Sequence, residues 1–207
     1  MKIIKPYHEI LTEFNGTDVL KHIEQCGRVC YKSEHRITDD SHLTFIKNII
    51  KRGHEAVLEH FSFSVKFVCD RGVTHEIVRH RLASYCQESQ RYVNYSKDDF
   101  GGEICVIEPS YLTKGSMGYG RWVNACIECE KAYFDLLDWG ATPQEARAVL
   151  PNSTKTEIIM TANLREWRHF FKLRCSKAAH PQMRELVIPL LKELQTKLPV
   201  IFDDIEV

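Results

Sequence analysis

The sequence has no excess of either charge: 28 Lys and Arg stand against 28 Asp and Glu in its 207 residues. That balance excludes a general polyanion binder drawn by its overall field to nucleic acid or to an anionic membrane, and leaves room only for a local basic site. Long apolar runs are missing as well, so no membrane span is expected. Lys2-Ile3-Ile4-Lys5-Pro6 is too short and too interrupted for a cleavable signal, which makes a soluble, cytoplasmic protein the expectation. There is no internal repeat, no low-complexity segment and no linker rich in Pro, Gly or Ser, so one domain is expected over residues 1–207.

A complete zinc pattern is also lacking. The eight cysteines (Cys26, Cys30, Cys69, Cys86, Cys105, Cys126, Cys129, Cys175) read as reduced thiols in a chain of this size without a signal. Cys126-Ile127-Glu128-Cys129 is half of a zinc motif whose second half is absent, and on an amphipathic helix the same spacing merely puts two small hydrophobes on one face. His54-Glu55-Ala56-Val57-Leu58-Glu59-His60 is rich in metal-ligating types, but its two histidines are too far apart to share a helix face. No metal site is expected.

What is present suits an ordinary globular core: 43% hydrophobic and 27% charged residues. A first strand is expected over 2–7. A helix capped near Thr17 and Asp18 and stopped by Gly27 follows, then a second helix from Asp39-Asp40-Ser41 to Gly53. Phe61 to Val68 alternates like a half-buried strand, and Asp70 to Val78 has helical spacing. Further strands are expected at 91–96 and 103–107, with a turn at 97–102 between them. A long helix over 119–137, a Pro-initiated helix from Thr142, a strand within 153–162, a helix over 163–174 and a last helix over 181–198 complete an α+β fold with a mixed or antiparallel sheet.

The most informative stretch is Arg79-His80-Arg81-Leu82-Ala83-Ser84-Tyr85-Cys86-Gln87-Glu88-Ser89-Gln90-Arg91-Tyr92. Two readings compete. A solvated polar loop accounts for the charges. An anion site accounts for their kind: Arg presents a planar donor fork to phosphate, His adds a switchable donor, and Tyr85 and Tyr92 offer rings for a flat base, which together suit a nucleotide. A nucleic-acid module built on Arg79, Arg81 and Arg91 with Tyr85, Tyr92 and Tyr95 as platforms is a further reading, disfavoured by the zero net charge. A thiol or zinc enzyme using Cys126 and Cys129 is another. Ser89 and Cys86 are candidate nucleophiles, but neither has an evident base partner.

Arg79-His80-Arg81, seven residues and then Ser89-Gln90-Arg91-Tyr92 resembles the signature of the flavin-dependent thymidylate synthases. The likeness extends to Gly53-His54-Glu55 with Glu59-His60, to Ala146 through Pro151, to Asn163-Leu164-Arg165, and to Leu173-Arg174 with His180-Pro181-Gln182. It implies that family's fold and an enzyme making dTMP from dUMP without a covalent enzyme nucleophile. It also implies 5,10-methylenetetrahydrofolate as carbon donor, FAD as hydride carrier, NADPH as reductant, and a homotetramer whose active sites are shared between subunits. Carried over residue by residue, FAD would meet His54, Arg79, His80, Arg81, Gln87, Asn163, Leu164, Arg165 and His169. The nucleotide dUMP would meet Glu76, Ile77, Val78, Arg79, Gln87, Glu88, Ser89, Gln90, Arg91, Arg147 and Arg174. Arg174 would lie against the uracil, where an always-charged fork stabilises negative charge developing on the ring. This sequence departs from the family pattern at Glu76, where Gln is frequent, at Gln87, where Glu occurs, at His169, where Asn occurs, and in a longer interval between Arg174 and His180.

Overall fold

The computed structural model describes residues 1–97 and 101–207. Its α+β architecture contains a two-stranded and a four-stranded sheet. In the first, β1 (Lys2–Ile4) pairs in parallel with β5 (Cys105–Ile107), with Ile3 opposite Val106. The second has the order β2 (Tyr7–Ile10), β3 (Ser62–Asp70), β6 (Lys155–Asn163), β4 (Ala83–Gln87). An antiparallel bridge joins Val106 to Thr154, so both pairing senses occur, as expected. No helix among the described residues is long and apolar enough to cross a membrane.

The chain divides into two compact units, residues 1–7, 67–79 and 86–159, and residues 8–66, 80–85 and 160–207. In the first, α3 (Arg71–Ile77) begins where Asp70 accepts the Val73 N–H at 2.7 Å. The long α4 (Met117–Asp138) is capped by Ser116. At α5 (Pro143–Ala146) the Glu145 carboxylate accepts both the N–H and the hydroxyl of Thr142, at 2.8 and 2.6 Å. A 3₁₀ turn over Arg147–Val149 follows. Tyr95, Ile104, Val106, Cys126, Tyr133 and Ala146 form this unit's buried cluster. Cys126 is therefore a core hydrophobe, as its helix-face position implied.

In the second unit, α1 (Gly16–Cys30) starts at an Asn15 cap and runs through Gly27. The expected stop at Gly27 is thus corrected. A Cβ there would lie 2.6 Å from Cζ of Phe45 on α2 (Ser41–Lys51), so this glycine serves close helix approach, not termination. Helix α1 ends instead at Cys30, where the Tyr31 N–H donates to the Arg28 carbonyl at 3.1 Å, while the stop expected for the second helix at Gly53 holds, with φ +71°. Asn163 caps α6 (Leu164–Arg174) by accepting the Glu166 N–H at 2.9 Å, and α7 (Pro181–Lys197) passes through Pro189. Aromatic packing centres on Trp167, whose ring stacks on Phe63 with centroids 5.0 Å apart. Fully buried Arg168 donates to both oxygens of Asp204, at 2.7 and 2.8 Å, and to the Ile201 carbonyl.

The stretch 91–96 is not a strand. Ser89 Oγ accepts the Arg91 N–H and Asn94 Oδ1 accepts the Ser96 N–H, so short polar side chains bend the backbone into turns that compete with a sheet ladder. The turn expected at 97–102 falls partly on residues 98–100, outside the described ones. Residues 83–87 do form a strand, β4, hidden in the sequence by its polar composition. It is the last strand in its sheet, where polar residues are tolerated.

Candidate active site

In the second unit a row of three side chains links two elements. His80 is 4% exposed, its ring edge-on to Phe170 with centroids 4.9 Å apart. Arg174 Nε, which can only donate, lies 3.1 Å from His80 Nε2, so Nε2 is the acceptor and the ring proton sits on Nδ1. That Nδ1–H points at the Glu166 carboxylate, 3.2 Å away. The neutral tautomer follows from the surroundings: burial, then the Arg174 charge, then His169 push the His80 pKa down to about 4. Burial raises Glu166 above the usual carboxylate range, with His169 opposing. Tyr85 donates to the His80 carbonyl at 2.6 Å and is pushed up to about 12, chiefly by burial. The local sequence accounts for the row. Glu166, Phe170 and Arg174 recur at four-residue intervals along α6, one face of the helix.

A cavity of about 600 Å³ opens beside this row, lined by Glu55, Glu59, Leu82, Asn163, Arg165, Glu166, His169 and Lys172. Its volume is in the range of small-molecule sites. Leu82 is 76% exposed and offers an apolar face, while Arg165 Nη1 donates to Glu59 at 2.6 Å on the rim. Asn163, Arg165 and His169 of the expected flavin set converge here. His54 instead bonds Tyr31 through Nδ1, 3.0 Å from the phenol oxygen. Arg81 is exposed. Leu164 is fully buried, so only its backbone is available to a ligand.

His80, Glu166 and His169 also form a group whose ligand-capable atoms lie within 4.8 Å of one another. Both ring nitrogens of His80 already face partners. Cys126 and Cys129 belong to no such group among the described residues.

Most of the expected dUMP set lies in the first unit. Glu76 is half-buried and Ile77 fully buried on α3, with Val78 and Arg79 exposed beyond it. Gln87 Nε2 donates to Thr74 Oγ1 at 3.0 Å and Thr156 Oγ1 at 3.4 Å. The Glu88 carboxylate receives Lys155 Nζ at 3.0 Å and the Tyr95 hydroxyl at 3.3 Å, which ties it into the unit's own framework. Ser89 turns the backbone, Gln90 is buried, and Arg91 is exposed with its guanidinium 5.6 Å from the Tyr92 ring centre. Arg147 is exposed in its 3₁₀ turn. The residue that sequence reading missed is Glu166. Its signal was position: it falls on the buried stripe of α6 with Trp167, Phe170 and Phe171, where an acid must have a partner.

A family model described as thymidylate synthase complementing protein matches residues 11–200. A flavin-dependent thymidylate synthase of Geobacter sulfurreducens is 36% identical over 186 residues, covering 86% of this chain and 78% of that protein. The chain belongs to the flavin-dependent thymidylate synthase family. Another member, from Mycolicibacterium gilvum, is 35% identical over 220 residues and covers 98% of this chain and 85% of its own length. The fold of this family member is also that of a crystal structure of a UMP/dUMP methylase, PolB, from Streptomyces cacaoi bound with 5-Br dUMP. The TM-score is 0.78 at 21% identity, over 98% of this chain and 96% of that one.

Proposed function

We propose that the chain, acting as one domain over residues 1–207, is a flavin-dependent thymidylate synthase that converts dUMP to dTMP in the cytoplasm. The reading rests above all on the family match over residues 11–200, joined by the convergence of Asn163, Arg165 and His169 on one cavity beside Arg174 and His80. In the net reaction uracil C5 gains the methylene carbon of 5,10-methylenetetrahydrofolate and loses its proton, tetrahydrofolate leaves, and NADPH provides the reducing equivalents. FAD, when bound, supplies the hydride.

The chain's own residues do the rest. His54, Arg79, His80, Arg81, Gln87, Asn163, Arg165, His169 and the Leu164 backbone hold FAD. Glu76, Val78, Arg79, Gln87 to Arg91, Arg147 and the Ile77 backbone hold dUMP, with the guanidinium groups on its phosphate. Arg174 stabilises charge developing on the uracil, so no enzyme nucleophile is required. Glu166 is a positioning residue: it fixes the His80 tautomer, and His80 holds Arg174. The working form is a homotetramer with shared active sites. Arg174→Ala is expected to abolish dTMP formation while flavin absorbance is retained; near-normal turnover in that variant would overturn the assignment.

A further inference from the structure

A second cavity, of about 450 Å³, lies where the end of α1, the 3₁₀ turn over Glu34–Arg36 and α2 meet. Its lining includes Arg28, Lys32, His35, Arg36 and Arg52, and it contains no Asp or Glu. Arg28 is already compensated. Its guanidinium donates to Glu24 at 2.7 and 3.0 Å and lies 4.6 Å over the Phe45 ring. No carboxylate stands within ion-pair distance of Lys32, Arg36 or Arg52 among the described residues. Like charges gathered around one concavity repel, and they focus potential that favours an anion. Lys32 lines the cavity from a backbone in the left-handed region, with φ +46°. Tyr31, 52% exposed, supplies an aromatic face on the same lining.

We propose that this cavity binds a nucleoside polyphosphate, the phosphates among Lys32, Arg36 and Arg52 and the base against Tyr31. Arg forks match phosphate oxygens two at a time, and one aromatic face suffices for a base of any sequence. The Tyr31 hydroxyl lies 3.0 Å from His54 Nδ1, so the cavity adjoins a residue of the proposed flavin set. The binding itself does not depend on that flavin reading.

The test is calorimetric titration of the intact protein, saturated with dUMP so that its substrate phosphate site is filled. The probe is tripolyphosphate, followed by dTTP and NADPH in separate arms to distinguish an effector nucleotide from the reductant. The variant Arg36→Glu with Arg52→Glu removes two of the cations. A variant with Lys47→Glu and Lys51→Glu, exposed residues of α2 outside the cavity, makes the same change in net charge. Tripolyphosphate is expected to bind the wild type with an affinity that falls as salt rises. It should bind the cavity variant at least about tenfold more weakly and the control variant nearly normally. Equal affinity for wild type and cavity variant would overturn the proposal, as would equal losses in the two variants or no wild-type binding at millimolar concentration.

Discussion

Replacing Glu166 by Gln tests the row from α6 to Arg174 with little change of shape. In the native arrangement a carboxylate accepts the His80 Nδ1–H at 3.2 Å, and His80 Nε2 accepts from Arg174 at 3.1 Å. An amide either keeps the tautomer with a neutral hydrogen bond or turns its NH₂ toward Nδ1. The second option moves the ring proton to Nε2, where it opposes the Arg174 Nε–H. Exchanging a charge-assisted bond for a neutral one costs about 1 kcal/mol, and forcing two donors together costs more. The expected loss in kcat is therefore about five- to tenfold, with a small effect on KM for dUMP, since about 1.4 kcal/mol corresponds to tenfold. Steady-state dTMP formation measures it, with thermal denaturation as the control for folding. The decisive arm is a double-mutant cycle. If Glu166 acts through Arg174, Glu166→Gln adds nothing in an Arg174→Lys background. Fully additive losses, or an unchanged kcat in the single variant, would refute the relay.

Acid should weaken the fold through His80. Its folded pKa, about 4, lies below the ordinary 6.5, so between these values the unfolded chain binds more protons and stability rises with pH. The loss on acidification from 6.5 to 4 is on the order of 2–3 kcal/mol, partly offset by Glu166, whose raised pKa favours the folded state as pH falls. Urea denaturation across that range should show the slope, and His80→Gln should flatten it; an unchanged slope in the variant contradicts the assignment. Arg168→Met breaks a buried pairing with Asp204 and Glu55 and should cost roughly 3–5 kcal/mol, lowering Tm by about 10 °C or more in a scanning calorimeter. A shift under about 2 °C would show that Met packing replaces the ion pairs.

Much of this architecture was legible because hydrophobic period and capping agree. Asp70, Asn163 and the Thr142–Glu145 pair start helices where their side chains match the orphan N–H groups, and β6 alternates buried and half-buried residues throughout. Gly27 misled because a glycine that ends a helix and one that admits a neighbouring Phe45 look alike without the partner helix. Val93 and Tyr95 alternate with polar residues, but Ser89 and Asn94 bond the local backbone first, so the alternation makes turns. Within the site, His80 was legible as a residue type suited to a charged nucleotide, whereas Arg174 was reached only through the family resemblance. Glu166 was not legible, because its role depends on a contact 86 positions away in sequence.

The central claim is flavin-dependent methylation of dUMP, and dTMP formation by the purified protein tests it most directly. With dUMP, 5,10-methylenetetrahydrofolate and NADPH supplied, the account predicts a yellow protein that releases FAD on denaturation. It also predicts dTMP that disappears when any one of the three substrates, or the flavin, is withheld. A flavin-loaded protein that makes no dTMP, or dTMP formed equally well without flavin, would contradict it.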